Sequence, residues 1–216
     1  MQLNNWNDEY IDLAERVWGK KRPKYTLDIF NFALNSGNSW LDLGCGFGRF
    51  LKFLLENRDE PDYIGYDSSK SMIERIHKNF PEYFPHTFHR DITDKIIHHK
   101  EVIVSNAVLI HLNQEDQTKV LKRMLESTEA KRNFSNFPKA LVFDINSYSN
   151  SPPCGYFREV VSERNFRMSY QDPNAMYGYL KSNFKKYSIK VKKYKMRKEV
   201  VKTTFFLKTV QNLDKL

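Results

Sequence analysis

Cysteine is nearly absent from this 216-residue sequence, which holds only Cys45 and Cys154. Two thiols cannot build a disulfide framework, and neither lies in the clustered Cys/His spacing that binds zinc. No metal site is expected, and a reducing compartment is. Long hydrophobic runs are missing too. Nowhere do about 18 uninterrupted apolar residues occur, the length a membrane-spanning helix needs. Met1 to Asp8 shows no basic segment followed by an apolar one, so no secretion signal is expected. These absences point to a cytoplasmic protein with no membrane partner. Internal repeats, low-complexity segments and linkers are absent as well.

Apolar residues make up 40% of the chain and aromatic residues 14%. That is enough large side-chain area to offset the ordering entropy of a globular fold. The length favours one domain over residues 1–216. The net charge of +9 is regional: between Lys181 and Lys208 eleven Lys or Arg face one acid, Glu199, and the remainder is close to neutral. A basic segment can contact nucleic acid. Lysine also outnumbers arginine 23 to 12, the bias that an AT-rich genome produces without any function.

Periodicity supplies the architecture. Tyr10, Leu13, Ala14, Val17 and Trp18 recur at helical spacing within Asn7–Trp18, and Thr26–Leu34 predicts a second helix ending in Asn35-Ser36-Gly37-Asn38. Residues 1–37 thus form a helical lead-in. Ser39 to Leu43 predicts a strand, followed by a glycine loop and a helix from Arg49 to Asn57. Tyr63 to Tyr66 predicts a second strand ending at Asp67, with a helix from Ser69 to about Asn79. His86–His89, Val102–Val104 and Leu141–Phe143 predict three more strands, with a helix capped by Asn113 before the last. Strands alternating with helices imply a parallel sheet covered on both faces, an α/β fold of three layers. Tyr187–Tyr194 and Val200–Val210 read instead as a terminal antiparallel hairpin within residues 184–210.

Candidate site residues gather at strand ends. Leu41-Asp42-Leu43-Gly44-Cys45-Gly46-Phe47-Gly48 sits where the first strand meets its helix, and its glycines let the backbone turn tightly under a ligand. A dinucleotide fingerprint needs a third glycine five positions after Gly44, and position 49 is Arg. Asp67 ends the second strand, where a carboxylate can accept from the vicinal hydroxyls of a ribose. Asp91 follows the third strand and is placed to accept from an adenine amine, with Ile92 on the base face.

The series of these segments, continued by Tyr-Ile-Gly-Tyr-Asp-Ser-Ser-Lys-Ser-Met-Ile and Val-Ser-Asn-Ala-Val-Leu-Ile-His-Leu, resembles the class I S-adenosylmethionine-dependent methyltransferases. The resemblance covers roughly residues 39–146 and extends more loosely to the hairpin. It implies a Rossmann-like sheet of seven mostly parallel strands, the last inserted antiparallel. It also implies S-adenosyl-L-methionine as cofactor, with Asp42 and Gly44, Cys45, Gly46 and Gly48 facing methionine and ribose, Asp67 and Ser68 at the ribose, Asp91 and Ile92 at the adenine, and Ser105 nearby.

The acceptor is less legible. Ser105-Asn106-Ala107-Val108 lacks the Pro-Pro-aromatic signature of base-amino methyltransferases. His111 is a candidate base, or else a packing residue. Asp144, at the end of the fifth strand, is the second catalytic candidate, or else a turn carboxylate. Cys45 reads as a small side chain under the loop, and nothing marks Cys154 as a nucleophile. Residues 147–183 exceed an ordinary connection and carry Tyr148, Tyr156, Phe157, Phe166, Tyr170 and Tyr177; they are expected to cover the acceptor site, as are Trp6, Tyr10 and Trp18. Three functions remain open: methyl transfer to a small molecule by in-line displacement, RNA methylation through the basic hairpin, and a binding protein of this fold without activity.

Overall fold

The computed structural model describes residues 8–18, 22–129, 138–149, 155–161, 167–196 and 199–210. Trp6, Cys154 and Phe166 lie outside the described residues, as do the side chains of Tyr10 and Trp18. The elements run α1 (Asp8–Trp18), α2 (Lys24–Leu34), β1 (Ser39–Leu43), α3 (Arg49–Leu55), β2 (Asp62–Asp67), α4 (Lys70–Asn79), β3 (Thr87–His89), β4 (Val102–Ser105), α5 (Gln114–Glu129), β5 (Ala140–Tyr148), β6 (Phe157–Val161), β7 (Arg167–Gln171), α6 (Pro173–Asn183), β8 (Tyr187–Lys195) and β9 (Val200–Thr209). Short 3-10 turns span Pro81–His86 and Leu109–His111. The helix starts are locally encoded. Ser69 accepts from the Met72 amide, Asn113 from the Asp116 amide and Asp172 from the Asn174 amide, each satisfying an orphan donor of the first turn.

β2 and β4 flank β1 in parallel, β3 extends the sheet beyond β2, and β5 beyond β4. β9 pairs antiparallel along the whole of β5, and β8 pairs antiparallel with β9. The main sheet therefore has the order β3-β2-β1-β4-β5-β9-β8, with β9 alone running against the rest. The sequence implied these seven strands; it did not show β6 and β7. β9 occupies one edge of β5 at Asn146, so β7, which also pairs with β5 there, lies on the edge that β4 leaves when it ends at Ser105. β6 then pairs antiparallel with β7.

Alternation along the strands sorts two cores. Leu41, Leu43, Ile103, Leu141, Phe143, Ile145, Phe205 and Leu207 pack with Val120, Leu121 and Met124 of α5 and Leu180 of α6. Trp40, Val102, Val104, Val142 and Phe206 pack with Ile29 and Phe30 of α2, Phe50 and Leu54 of α3, and Ile73 and Ile76 of α4. By the same alternation Asp42, Asp144 and Asn146 belong to the α2–α3–α4 face.

Parts of the described segments within 147–183 are tied to the core. α6 places Met176 and Leu180 in the core. On β7, the Ser169 hydroxyl accepts from the Gln117 side chain at 2.7 Å, and the Gln171 side chain donates to Gln117 Oε1 at 2.6 Å.

Candidate active site

The parallel strands β1, β2 and β4 end at one side of the sheet, and a cavity of about 1390 Å³ opens there, where ligands bind in open α/β sheets. Its first half surrounds the glycine loop. Gly44, Gly46 and Gly48 have φ values of 78°, 54° and 88°, in the left-handed region that a Cβ disfavours. Sterics separate their roles. A Cβ on Gly44 would lie 2.3 Å from Val108 Cγ2, and one on Gly48 3.0 Å from Phe80 Cε2, whereas one on Gly46 meets nothing within 4 Å. Gly44 and Gly48 serve packing. Gly46 leaves open a cradle that a side chain would fill.

The loop amides are turned inward. Those of Gly44 and Cys45 donate to the Tyr66 carbonyl at 2.8 and 2.9 Å, that of Gly48 to the Cys45 carbonyl at 3.1 Å, and that of Gly46 to Asp67 Oδ2 at 2.8 Å. A pyrophosphate site needs such amides pointing at the anion, so the loop is ill suited to a dinucleotide. Asp67 also accepts from the Ser69 amide at 2.8 Å through Oδ1. One bond per carboxylate oxygen leaves one further lone pair on each, the capacity that two vicinal hydroxyls require. Burial raises the Asp67 pKa, while the Ser69 and Gly46 amides oppose the rise.

Asp42 is buried, accepts from the Tyr63 hydroxyl at 3.1 Å, and titrates at about 7. Burial is the main cause; the Tyr63 hydrogen bond opposes it and the negative charge of Asp67 adds to it. Asp91 is exposed and uses Oδ1 to accept from the amide and hydroxyl of Thr93. Ser68 and the buried Ile92 line the cavity beside it. Helix α1 closes this half: Ile11 and Ala14 pack with Phe47 and Met72, and Arg75 of α4 holds Asp12 and Glu15, both at 2.6 Å.

The second half lies toward β5, β7 and β9. His111 lines it and donates through Nδ1 to the Arg167 carbonyl at 2.9 Å. Burial lowers its pKa to about 4 despite the Arg167 hydrogen bond. Tyr25, Arg49, Asn106, Asn146, Met168, Tyr170, Met196 and Lys202 also line the cavity.

Three of the expected site residues lie off the cavity wall. Asp144 is fully buried and off the cavity wall. It accepts from Lys202 Nζ at 2.5 Å, Asn106 Nδ2 at 3.0 Å and the Ala107 amide at 2.7 Å. These bonds hold Ala107 at φ 60°, so Asp144 is an anchor for the turn after β4 and its position does not suit a base. Ser105 is likewise fully buried within β4, and the wall beside it is formed by Asn106, Ala107 and Val108. Gly48 starts α3 against Phe80 and does not line the cavity. Cys45 is where it was expected, a buried thiol under the loop.

Arg49, Asn146 and Lys202 were not singled out from the sequence as site residues. A signal for the last exists: Lys202 interrupts an otherwise uncharged strand, Val200 to Leu207, and Asp144 interrupts the apolar run of β5. Opposite charges in two buried strands imply a buried pair.

A family model described as a methyltransferase domain matches residues 41–130. Residues 41–130 are thus similar to a methyltransferase domain. Solved structures share its fold. Magnesium protoporphyrin IX methyltransferase from Synechocystis PCC 6803, with bound S-adenosylmethionine, is 15% identical with a TM-score of 0.61, over 94% of this chain and 93% of that one. The 1,6-didemethyltoxoflavin-N1-methyltransferase of Burkholderia thailandensis, with its substrate and S-adenosylhomocysteine bound, is 12% identical with a TM-score of 0.62, over 94% and 85%. A methyltransferase from Clostridium acetobutylicum ATCC 824 is 15% identical with a TM-score of 0.59, over 96% and 100%. No curated protein sequence matches the chain. Among the described residues no helix is long and apolar enough to cross a membrane, and no group of three or more His, Cys, Asp or Glu could hold a metal.

Proposed function

We propose that this chain is an S-adenosylmethionine-dependent methyltransferase that acts on a small-molecule acceptor by in-line displacement, with the cofactor in the half of the cavity beside Asp67 and the acceptor in the half beside His111. The observation that carries the reading is the size and lining of the second half. A pocket for one ligand measures roughly 300–1,000 Å³, and this cavity of about 1390 Å³ continues past the glycine loop to a wall of Tyr25, Met168, Tyr170 and Met196. That wall suits a compact acceptor.

When bound, the cofactor supplies an electrophilic methyl group on a positively charged sulfur. The chain's own residues position it. Asp67 would accept from the ribose hydroxyls and Asp91 from the adenine amine, Ile92 would cover the base, and Gly46 would allow close approach of the chain. Holding acceptor and methyl in line supplies much of the rate. His111 takes a proton where the acceptor carries one. With its pKa near 4, turnover should hold across the neutral range and fail only as the pH falls toward about 4.

RNA methylation has less support. Lys192 is paired with Asp28 at 2.8 Å and Lys202 is buried against Asp144, so the charge of each is already partnered within the chain. β8 is the last strand of the main sheet, and lysines on an edge strand block edge-to-edge pairing. The test is a screen with radiolabelled cofactor against total RNA, total protein and a metabolite extract. Incorporation into small molecules is expected. Incorporation into RNA that is lost when Lys190, Lys193 and Lys195 become Ser would overturn the small-molecule reading, and cofactor binding without turnover in every arm would favour an inactive binding protein.

A further inference from the structure

The acceptor half contains a buried, unpaired donor beside a buried cation. Asn146 of β5 and Lys202 of β9 are directly opposite one another, only 2% and 5% exposed, and both line the cavity. Cross-strand partners share one face of the sheet, with Cβ atoms roughly 4.5–5.5 Å apart. The buried Asn146 Nδ2 has no hydrogen-bond acceptor. Buried donors are almost always paired, and this one is on the wall of a cavity, where a ligand can supply the missing partner.

We propose, resting on the acceptor site assigned above, that the acceptor carries a carboxylate held by Asn146 Nδ2 and Lys202 Nζ. Each carboxylate oxygen accepts, and an ammonium has three N–H donors, of which Lys202 directs one to Asp144 Oδ2. Asp144 neutralises Lys202 and already accepts two further N–H groups, leaving it no role toward an incoming cation. Arg49 adds a positive charge to a cavity that also carries the carboxylates of Asp42, Asp67, Asp91, Asp94 and Asp116, so the preference for an anion here rests on the N–H donors of Asn146 and Lys202 and not on the net charge of the cavity. A protonated amine would meet Lys202 and would bring Asn146 another donor instead of an acceptor. The apolar body of the ligand has Tyr25, Met168 and Tyr170 to pack on, and the Tyr25 ring lies 5.5 Å from Lys202 Nζ, close enough for one ligand to touch both.

The test uses the protein saturated with S-adenosylhomocysteine and compares benzoate with benzylamine, probes of similar size and opposite charge, by ligand-observed NMR titration. Benzoate should bind at least tenfold more tightly. Asn146→Leu removes the donor without stranding a buried charge, as Lys202→Met would; it should weaken benzoate at least tenfold and leave S-adenosylhomocysteine affinity unchanged. Equal or tighter binding of benzylamine, or benzoate affinity untouched in the variant, would overturn the proposal. So would a variant that loses S-adenosylhomocysteine affinity instead, which would assign the donor to the cofactor. If the wild type fails to bind S-adenosylhomocysteine at all, the cofactor assignment falls first, and that result is read before either probe is added.

Discussion

The two halves of the cavity are built in different ways. The cofactor half is made largely of backbone: the left-handed Gly44 and Gly46, the inward-facing amides of the loop and the carboxylate of Asp67, contributed by two adjacent strand ends. The acceptor half is made of side chains from α2, the turn after β4, β5, β7 and β9, joined through Asp144 and Lys202. Backbone geometry tolerates few sequences, because a Cβ at the wrong glycine collides or strains. Side-chain walls tolerate many, because any residue of suitable size and polarity can stand there. The first half therefore constrains the donor, and the second leaves room for the acceptor to vary.

The largest effect should come from breaking the anchor of the acceptor half. Asp144→Ala leaves Lys202 buried without its partner, and unfolding in urea should show a loss of about 3–5 kcal/mol. Replacing both members with apolar residues should recover much of it. Turnover lost with stability intact would contradict the anchor role.

The glycines divide the cofactor half from within. Gly44→Ala combines a left-handed backbone with a contact 2.3 Å from Val108, and should cost about 2–4 kcal/mol of stability. Gly46→Ala faces open space and should cost about 1–2 kcal/mol, yet weaken cofactor binding strongly because its methyl enters the cradle. If the two variants lost stability equally, the sterics assigned here would be wrong.

Asp42 tests the electrostatics of that half. Its pKa rises from 3.8 unfolded to about 7 folded, so the folded state holds the proton more tightly. Its contribution is fully present below about pH 4 and declines as the pH rises through the window to about 7. Asp42→Asn should remove that decline, with a difference from wild type that grows to on the order of 4 kcal/mol at neutral pH. Parallel pH curves for the two proteins would show that Asp42 stays ionised.

Asp67→Ala should weaken S-adenosylmethionine and S-adenosylhomocysteine by roughly 1–3 kcal/mol, the penalty for leaving hydroxyls unpaired, as read by calorimetry. Unchanged affinity would remove the ribose assignment. The smallest effect belongs to the hairpin surface. Changing Lys190, Lys193 and Lys195 to Ser should alter stability by less than about 0.5 kcal/mol and leave methyl transfer to small molecules unaffected at any salt concentration.

The sequence by itself determined the strand–helix alternation, the glycine loop and the carboxylate at the end of β2, because each is set by neighbours in the chain. Hydrophobic period, φ > 0 at Gly44, Gly46 and Gly48, and caps at Ser69, Asn113 and Asp172 are local physics. The hairpin's charge was visible too, but its meaning was not. Of eleven cations between Lys181 and Lys208, burial alone distinguishes Lys202, inside against Asp144, from Lys190, Lys193 and Lys195, exposed on the edge strand. Asp144 looked like a catalytic candidate because strand ends often carry catalysis; tertiary contacts with Lys202, Asn106 and Ala107 made it an anchor. Asn146 and Lys202 meet only because β9 inserts antiparallel beside β5, a pairing between segments distant in the chain whose register no local pattern encodes.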